Sequence, residues 1–409
     1  MKVSDVVLVP GLGGFFHDDL AAIRGGAVAD GQWYRGRPVT SGFSSVRTPA
    51  RALGIGLRLE DGRIAWGDAM AVQYAGLDGR DPLDGPGEGA LGELRDVLVG
   101  LEVDAFRPAL AEVLAALPEA LPGAGAALRY GLSQALLGAA AQAGSRTMCE
   151  VLCAEYDLPV VVEPVPVYAQ TGDERYGNAD KMIIKRVDAL PHGLINNRAK
   201  FGAEGEKLLA YVGWLAERIT LLGGADYRPV LHFDCYGQPG AAFDGDLPRV
   251  AEYLERVERA AGGLAVRIEA PIDLAGREAQ IEGMRRLREL LRERGCGVGI
   301  VADEWCNTLE DIDAFVSAGA CDLLQVKMPD VGTVEDSVLA VLRCRAGGVG
   351  AVLGGSCTET DRSARTSVHV ALASRPEVQL AKPGMGVDEA LMIVRNEQAR
   401  TLAVLAASR

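Results

Sequence analysis

No apolar run in this 409-residue chain approaches the eighteen or so uninterrupted residues of a membrane-spanning helix, because Arg, Asp and Pro interrupt every candidate. The opening stretch MKVSDVVLVPGLGG has one early Lys and no apolar core ending in a small-residue cleavage site. It does not read as a signal peptide, so a soluble, cytoplasmic protein is expected. Positive charge is in deficit: 42 Lys and Arg face 56 Asp and Glu, a formal net charge of −14. A polyanion would meet net repulsion, which argues against nucleic acid and anionic membrane as partners. Histidine is scarce, and His17, His192, His232 and His369 show neither HExxH nor HxxxH spacing. The eight cysteines include no CxxC. Cys149 and Cys153 are separated by three residues and the rest are scattered, so free thiols fit better than disulfides or structural zinc. The glycines form no phosphate loop: Gly11-Leu12-Gly13-Gly14 does not complete GxGxxG, and no GxxxxGK is followed by Ser or Thr.

What remains is ordinary for a globular protein, 48% hydrophobic and 24% charged residues, on a length that suits two or three domains or one barrel with a smaller partner. Residues 51–70 predict two strands joined at Asp61-Gly62, a dipeptide that tolerates positive φ. From about 88 to 156 the Ala/Leu-rich spacing predicts several helices broken at Pro118, Pro122 and Gly123. The glycine-rich stretch 11–45 fits either a mobile loop over a site or a plain exposed loop.

From about residue 159 the pattern becomes regular. Short apolar segments at 165–167, 182–184, 230–233, 264–268, 298–301, 323–326, 350–353 and 378–380 alternate with helical spacing at 207–222, 247–261, 277–294, 309–318, 334–345, 361–374 and 387–407. Buried strands alternating with amphipathic helices imply parallel strands with helical crossovers. Eight such units predict an α/β fold, a (β/α)8 TIM-type barrel over 159–409, preceded by an α+β domain over 1–158. The connection 186–206 is longer than the others and carries Pro191, His192 and Asn196-Asn197.

Barrel sites lie at the C-terminal ends of the strands. The residues closing the eight segments are Gln170, Lys185, Asp234, Glu269, Asp303, Lys327, Ser356-Cys357 and Lys382. Three successive strands thus end in carboxylates. Neighbouring strands lie about 4.8 Å apart, so these groups can converge. Converging anions repel unless a cation sits between them, and an all-oxygen ligand set selects Mg²⁺. The alternative is that they are helix N-caps or solvated loop residues. Glu304 adjoins Asp303, and strand neighbours face opposite ways, so at most one points inward. Lys327 beside a dication is expected to be driven towards its neutral form, to about 7–8 where a useful base sits. Its alternative is a simple ion pair with one of the carboxylates. For His192 the alternative is a surface loop residue.

Asp, Glu and Asp on successive strands with Lys on the next resemble the enolase superfamily. Local motifs go further: VQYAGLDGRDPL (72–83), PVYAQTGDERYGNADKMIIK (166–185), LPHGLINN (190–197), HFDCYG (232–237), VADEWCNTLED (301–311), QVKMPD (325–330), GGSCTETDRSA (354–364) and AKPGMGVDEALMIVRNE (381–397) resemble the methylaspartate ammonia-lyase family. The resemblance spans nearly the whole chain. It implies an α+β capping domain on a modified barrel, typically as a homodimer, acting on a small amino diacid. Asp234, Glu269 and Asp303 would hold Mg²⁺. Lys327 would remove the C3 proton of L-threo-3-methylaspartate, with His192 on the opposite face as stabiliser or as acid/base for the other stereoisomer. Gln170, Gln325, Ser356 and Cys357, and less directly Gln73, would contact the carboxylates and amino group. K⁺ activation is a family trait for which the sequence points to no ligands. The chemistry suits the parts: removing a proton α to a carboxylate builds a second negative charge, which a Lewis acid stabilises before ammonia leaves to give mesaconate.

Three positions depart from the family pattern. Ser356 stands for Thr before the Cys, Tyr168 for Phe, and Val352 for Tyr; the first loses a methyl contact, the second would add a hydroxyl near the pocket and the third would enlarge it. They leave open methyl-, ethyl- or unsubstituted aspartate. Cys357 is assigned a packing or backbone contact and no nucleophilic role. Two other functions fit the same residues: another enolase-type dehydration, racemisation or cycloisomerisation, or a non-catalytic binding paralogue.

Overall fold

The structure is a computed structural model that describes residues 1–83 and 90–407. Residues 88–89 of the expected helical stretch lie outside the described residues. The chain opens with a long strand, β1 (Val3–Asp18), followed by a two-stranded ribbon of β2 (Val28–Asp30) and β3 (Trp33–Arg35). Next come β4 (Arg47–Leu59) and β5 (Ile64–Ala69), paired as the expected hairpin with Gly62 at φ +87°. β1, β4 and β5 form one antiparallel sheet in that order. Helices Leu91–Leu98, Phe106–Ala120, Ala126–Ala143 and Met148–Glu155 accompany it. Helix Phe106–Ala120 runs through Pro118, so the break falls later than expected.

The segment 11–45 is not a loop throughout. Its first residues continue β1, and their glycines have a steric purpose: a Cβ at Gly13 would lie 2.0 Å from the Thr358 carbonyl oxygen, and one at Gly14 2.7 Å from the Gly384 nitrogen. The cap strand therefore presses its bare backbone onto two loops of the barrel, where the Gly14 N–H donates to the Glu359 carbonyl at 2.9 Å.

The second half closes a barrel of eight parallel strands: β6 (Val167–Tyr168), β7 (Ala189–His192), β8 (Val230–Asp234), β9 (Val266–Glu269), β10 (Gly299–Ala302), β11 (Leu323–Lys327), β12 (Gly350–Gly354) and β13 (Val378–Leu380). One strand sits elsewhere than expected. Residues 182–184 end the helix Arg175–Ile184, where Ala179, Met182 and Ile183 are buried at helical spacing and Ile184 is exposed. The true second strand contains Pro191, which lacks the N–H of a regular ladder residue and so hid the segment from strand reasoning. Lys185 is consequently no strand-end residue. It caps that helix and pairs with Asp388 on the surface, while His192 ends the strand.

Candidate active site

In-register pairing sets the site's floor. Asp234 and Glu269 are direct partners across β8 and β9, and Val301 of β10 pairs with Glu269, so Asp303 follows two residues beyond that level. The carboxylates of Asp234, Glu269 and Asp303 are buried and offer three oxygens within 4.8 Å of one another. None serves as a helix cap. Burial first, then Glu269 and Asp303, pushes Asp234 well above the ordinary carboxylate range. Burial, and then Asp303, push Glu269 up to about 8. Asp303 goes the other way: burial raises it, but Lys327 and Arg80 together pull it below its ordinary value. Glu304 is also buried and is not part of the triad.

This set fits a hard dication. All three donors are oxygens, and only a cation lets three buried carboxylates ionise side by side. Glu269 is held on two sides, by His232 Nε2 at 2.8 Å and by Gln325 Nε2 at 3.1 Å. Burial pushes His232 down to about 3, so it is neutral and its Nε2–H donates to the carboxylate. Such outer partners fix the orientation of metal-binding carboxylates.

Lys327 ends β11 with its Nζ 2.6 Å from the Asp303 carboxylate. Burial works to lower its pKa, Asp303 with Glu304 and Glu269 together outweigh that, and the ammonium ends above its ordinary value. Lys327 thus sits in the ion pair that was its alternative reading, whereas the neutral amine was expected beside a bound dication. His192, far from a surface residue, is buried at φ +65° on the other side, its Nε2 3.3 Å from Asp234 Oδ2. Its Nδ1 accepts the Leu194 N–H at 3.3 Å, leaving the ring proton on Nε2. Burial, then His232 and Lys327, pushes it down to about 3, so it is neutral.

A cleft opens above these groups, lined by His192, Asp234, Glu269 and Lys327 together with Gln73, Gln170, Gln325, Ser356 and Cys357. All the expected substrate contacts are therefore gathered in one place. Gln170 Nε2 donates to the Gly384 carbonyl at 2.8 Å, and Ser356 Oγ accepts the Gln73 backbone N–H at 2.9 Å. The Cys357 thiol is raised by burial and lies 3.2 Å from Gln73 Oε1.

Sequence reasoning missed Arg80. It is buried, lines the cleft, hydrogen-bonds Asp330 at 3.0 Å and approaches Asp303 to 3.8 Å. It lies inside the stretch 72–83, where nothing local marks a buried guanidinium. Tyr74, Leu194, Tyr236, Leu380 and Met385 supply an apolar wall that no local pattern announced. Two of the three departures from the family pattern do not line the cleft. Tyr168 and Val352 are fully buried in a barrel-interior cluster with Val301, Leu323 and Val378, and neither lines the cleft. Tyr168 stacks on His232 at 4.2 Å with its hydroxyl unpaired. Only Ser356 faces the cleft.

Two family models match the chain, methylaspartate ammonia-lyase N-terminus over residues 1–157 and C-terminus over 159–407. Methylaspartate ammonia-lyase 2 of Carboxydothermus hydrogenoformans is 50% identical over 99% of both chains. The crystal structure of the Citrobacter amalonaticus methylaspartate ammonia-lyase containing (2S,3S)-3-methylaspartic acid superposes with a TM-score of 0.94, at 47% identity, over 99% of this chain and 100% of that one. A Mg complex of the Clostridium tetanomorphum β-methylaspartase gives a TM-score of 0.90 at 44% identity over the whole of both chains.

Proposed function

The chain belongs to the methylaspartate ammonia-lyase family, and on that premise we propose that it eliminates ammonia reversibly from L-threo-3-methylaspartate to give mesaconate, as a Mg²⁺-dependent carbon–nitrogen lyase. The observation that carries this reading is the buried triad within 4.8 Å, with Lys327 2.6 Å from Asp303, in a chain 47% identical to a lyase whose structure contains methylaspartic acid. Asp234, Glu269 and Asp303 hold the Mg²⁺, which when bound supplies Lewis-acid stabilisation to the negative charge growing on a substrate carboxylate. A dication among these carboxylates also cancels much of the pull that Asp303 exerts on Lys327, favouring the neutral amine.

Lys327 Nζ then takes the C3 proton. The C3–H electron pair becomes the C2–C3 double bond, and the C2–N bond breaks with its electrons leaving on ammonia. Neutral His192 faces Lys327 across the cleft with its proton on Nε2, positioned to stabilise charge on the opposite face or to handle the other C3 epimer. Gln170, Ser356 and Cys357 hold the substrate's second carboxylate without adding charge. Gln325, engaged with Glu269, acts through that carboxylate as much as on substrate. The family resemblance also supports a catalytic barrel over 159–409 capped by 1–158, homodimeric assembly, a cytoplasmic location and K⁺ activation.

The test is ultraviolet detection of mesaconate from L-threo-3-methylaspartate and Mg²⁺, with and without chelator. Chelator-sensitive product is expected. Chelator-insensitive turnover would remove the metal role, and a Lys327→Met variant with full turnover would remove the base. Conversion of a hydroxy diacid or epimerisation without ammonia release would favour the other enolase-type reactions. A folded protein that binds Mg²⁺ yet turns over no diacid would favour the binding paralogue.

A further inference from the structure

Beneath the cap side of the cleft lies a buried ion pair that the mechanism above does not use. Asp18, at the end of β1, and Arg47, at the start of β4, are 2% and 5% exposed and meet in a two-pronged pair. Arg47 Nε donates to Asp18 Oδ1 at 2.6 Å and Nη2 to Oδ2 at 2.7 Å. The guanidinium is packed against the rings of Phe15, Phe16 and Tyr34 at 4.8–5.1 Å from their centres, and Nη1 reaches the Gln32 carbonyl at 3.2 Å. Such a pair, donor-rich on one side and planar, holds the carboxylate in a single orientation.

Asp18 Oδ2 has one further partner: Gln73 Nε2, at 2.9 Å. An ionised carboxylate only accepts hydrogen bonds, so the atom of the Gln73 carboxamide facing it must be the NH₂. Oε1 is then turned towards Cys357, whose buried thiol lies 3.2 Å away and is the donor of that contact. Gln73 and Cys357 both line the cleft; Asp18 does not. A carbonyl oxygen has two lone pairs, so Oε1 keeps one for a ligand.

We propose that Asp18 and Arg47 are positioning residues that lock the Gln73 carboxamide with its donor turned away and its carbonyl towards the cleft. The cap then offers the substrate's ammonium an acceptor there, and offers a carboxylate nothing. This rests on the function proposed above. It gives the amino group a neutral partner, so ammonia leaves without abandoning a buried counter-charge.

The experiment compares Asp18→Asn with the unsubstituted enzyme in both directions. Asn keeps the shape but carries one acceptor instead of two, so Gln73 is no longer held in one flip state. The KM for methylaspartate and the KM for ammonium in the reverse reaction are expected to rise about tenfold, the worth of one hydrogen bond to a charged group. The KM for mesaconate, which has no amino group, is expected to stay unchanged. A merely structural role would move all three together, and that result, or no change in any, would overturn the proposal. A second pair of variants guards against misfolding. Gln73→Glu sets two carboxylates against each other and is expected to raise the ammonium KM. Asp18→Asn/Gln73→Glu restores one carboxylate to the cluster and is expected to bring it back to within about threefold. Failure of that rescue in a folded double variant would also refute the positioning role. Failure of the unsubstituted enzyme to act on methylaspartate would instead refute the function itself.

Discussion

Lys382 and Glu359 form an ion pair with no exposure to solvent on either side, 2.9 Å apart. Lys382 Nζ also donates to the Gly354 carbonyl at 2.8 Å, while Glu359 accepts from the Ser356 N–H at 2.9 Å and from the Tyr130 hydroxyl at 3.0 Å. The pair thus clasps the Gly354–Ser356 turn from below and ties it to the cap through Tyr130. Replacing Lys382 by Met leaves the glutamate buried and uncompensated, which costs about 3–5 kcal/mol. Against a total of about 5–15 kcal/mol, that is a large fraction of the protein's stability. Lys382→Met/Glu359→Gln removes the stranded charge and keeps acceptors for Ser356 and Tyr130, so it is expected to recover about half of the loss or more. Urea unfolding followed by circular dichroism and Trp fluorescence measures both variants. A single variant that loses less than about 1 kcal/mol, or a double that is simply the sum of its parts, would refute the reasoning that charge compensation governs this clasp.

Mg²⁺ at a hundredfold excess over its dissociation constant is expected to stabilise the protein by about 2.7 kcal/mol, visible as a rise in Tm, and Asp303→Asn should abolish most of that rise. Gly13→Ala drives a Cβ to 2.0 Å from the Thr358 carbonyl oxygen, so it should cost about 1–3 kcal/mol and lower kcat/KM by displacing the cap from the loop that carries Ser356. His17 is buried, and that burial, opposed by its contacts to Val72 and Arg51, holds its pKa below the ordinary 6.5. The unfolded chain therefore takes up a proton before the folded one does. Its contribution is present above about pH 6.5 and lost as pH falls below it, and His17→Gln should flatten the fall in urea midpoint over that range.

The barrel was legible because its signals are local. Each strand from β8 to β13 is a short apolar run, and the helices between them keep their period. The triad was legible for the same reason, since strand ends one βα unit apart must sit side by side. What escaped depended on tertiary context. The second strand hid behind Pro191, while 182–184, apolar at its own positions, belonged to a helix whose fourth face meets solvent. Arg80 could not be told from a turn residue, because its burial is created by Asp330, some 250 positions away in the chain. Tyr168 and Val352 were credited with the cleft because they depart from the family pattern, but a closed barrel also has a packed layer beneath the site.

The close seating of β1 on the barrel loops has a consequence for inheritance. The three clustered carboxylates and Lys327 are all carried by the barrel, whereas Gln73 and Arg80 arrive together on one loop of the cap. The two halves of the gene therefore meet in one cleft, joined along a seam narrow enough to demand bare backbone at Gly13 and Gly14. A lineage can exchange one half for a relative's only if the seam is exchanged along with it.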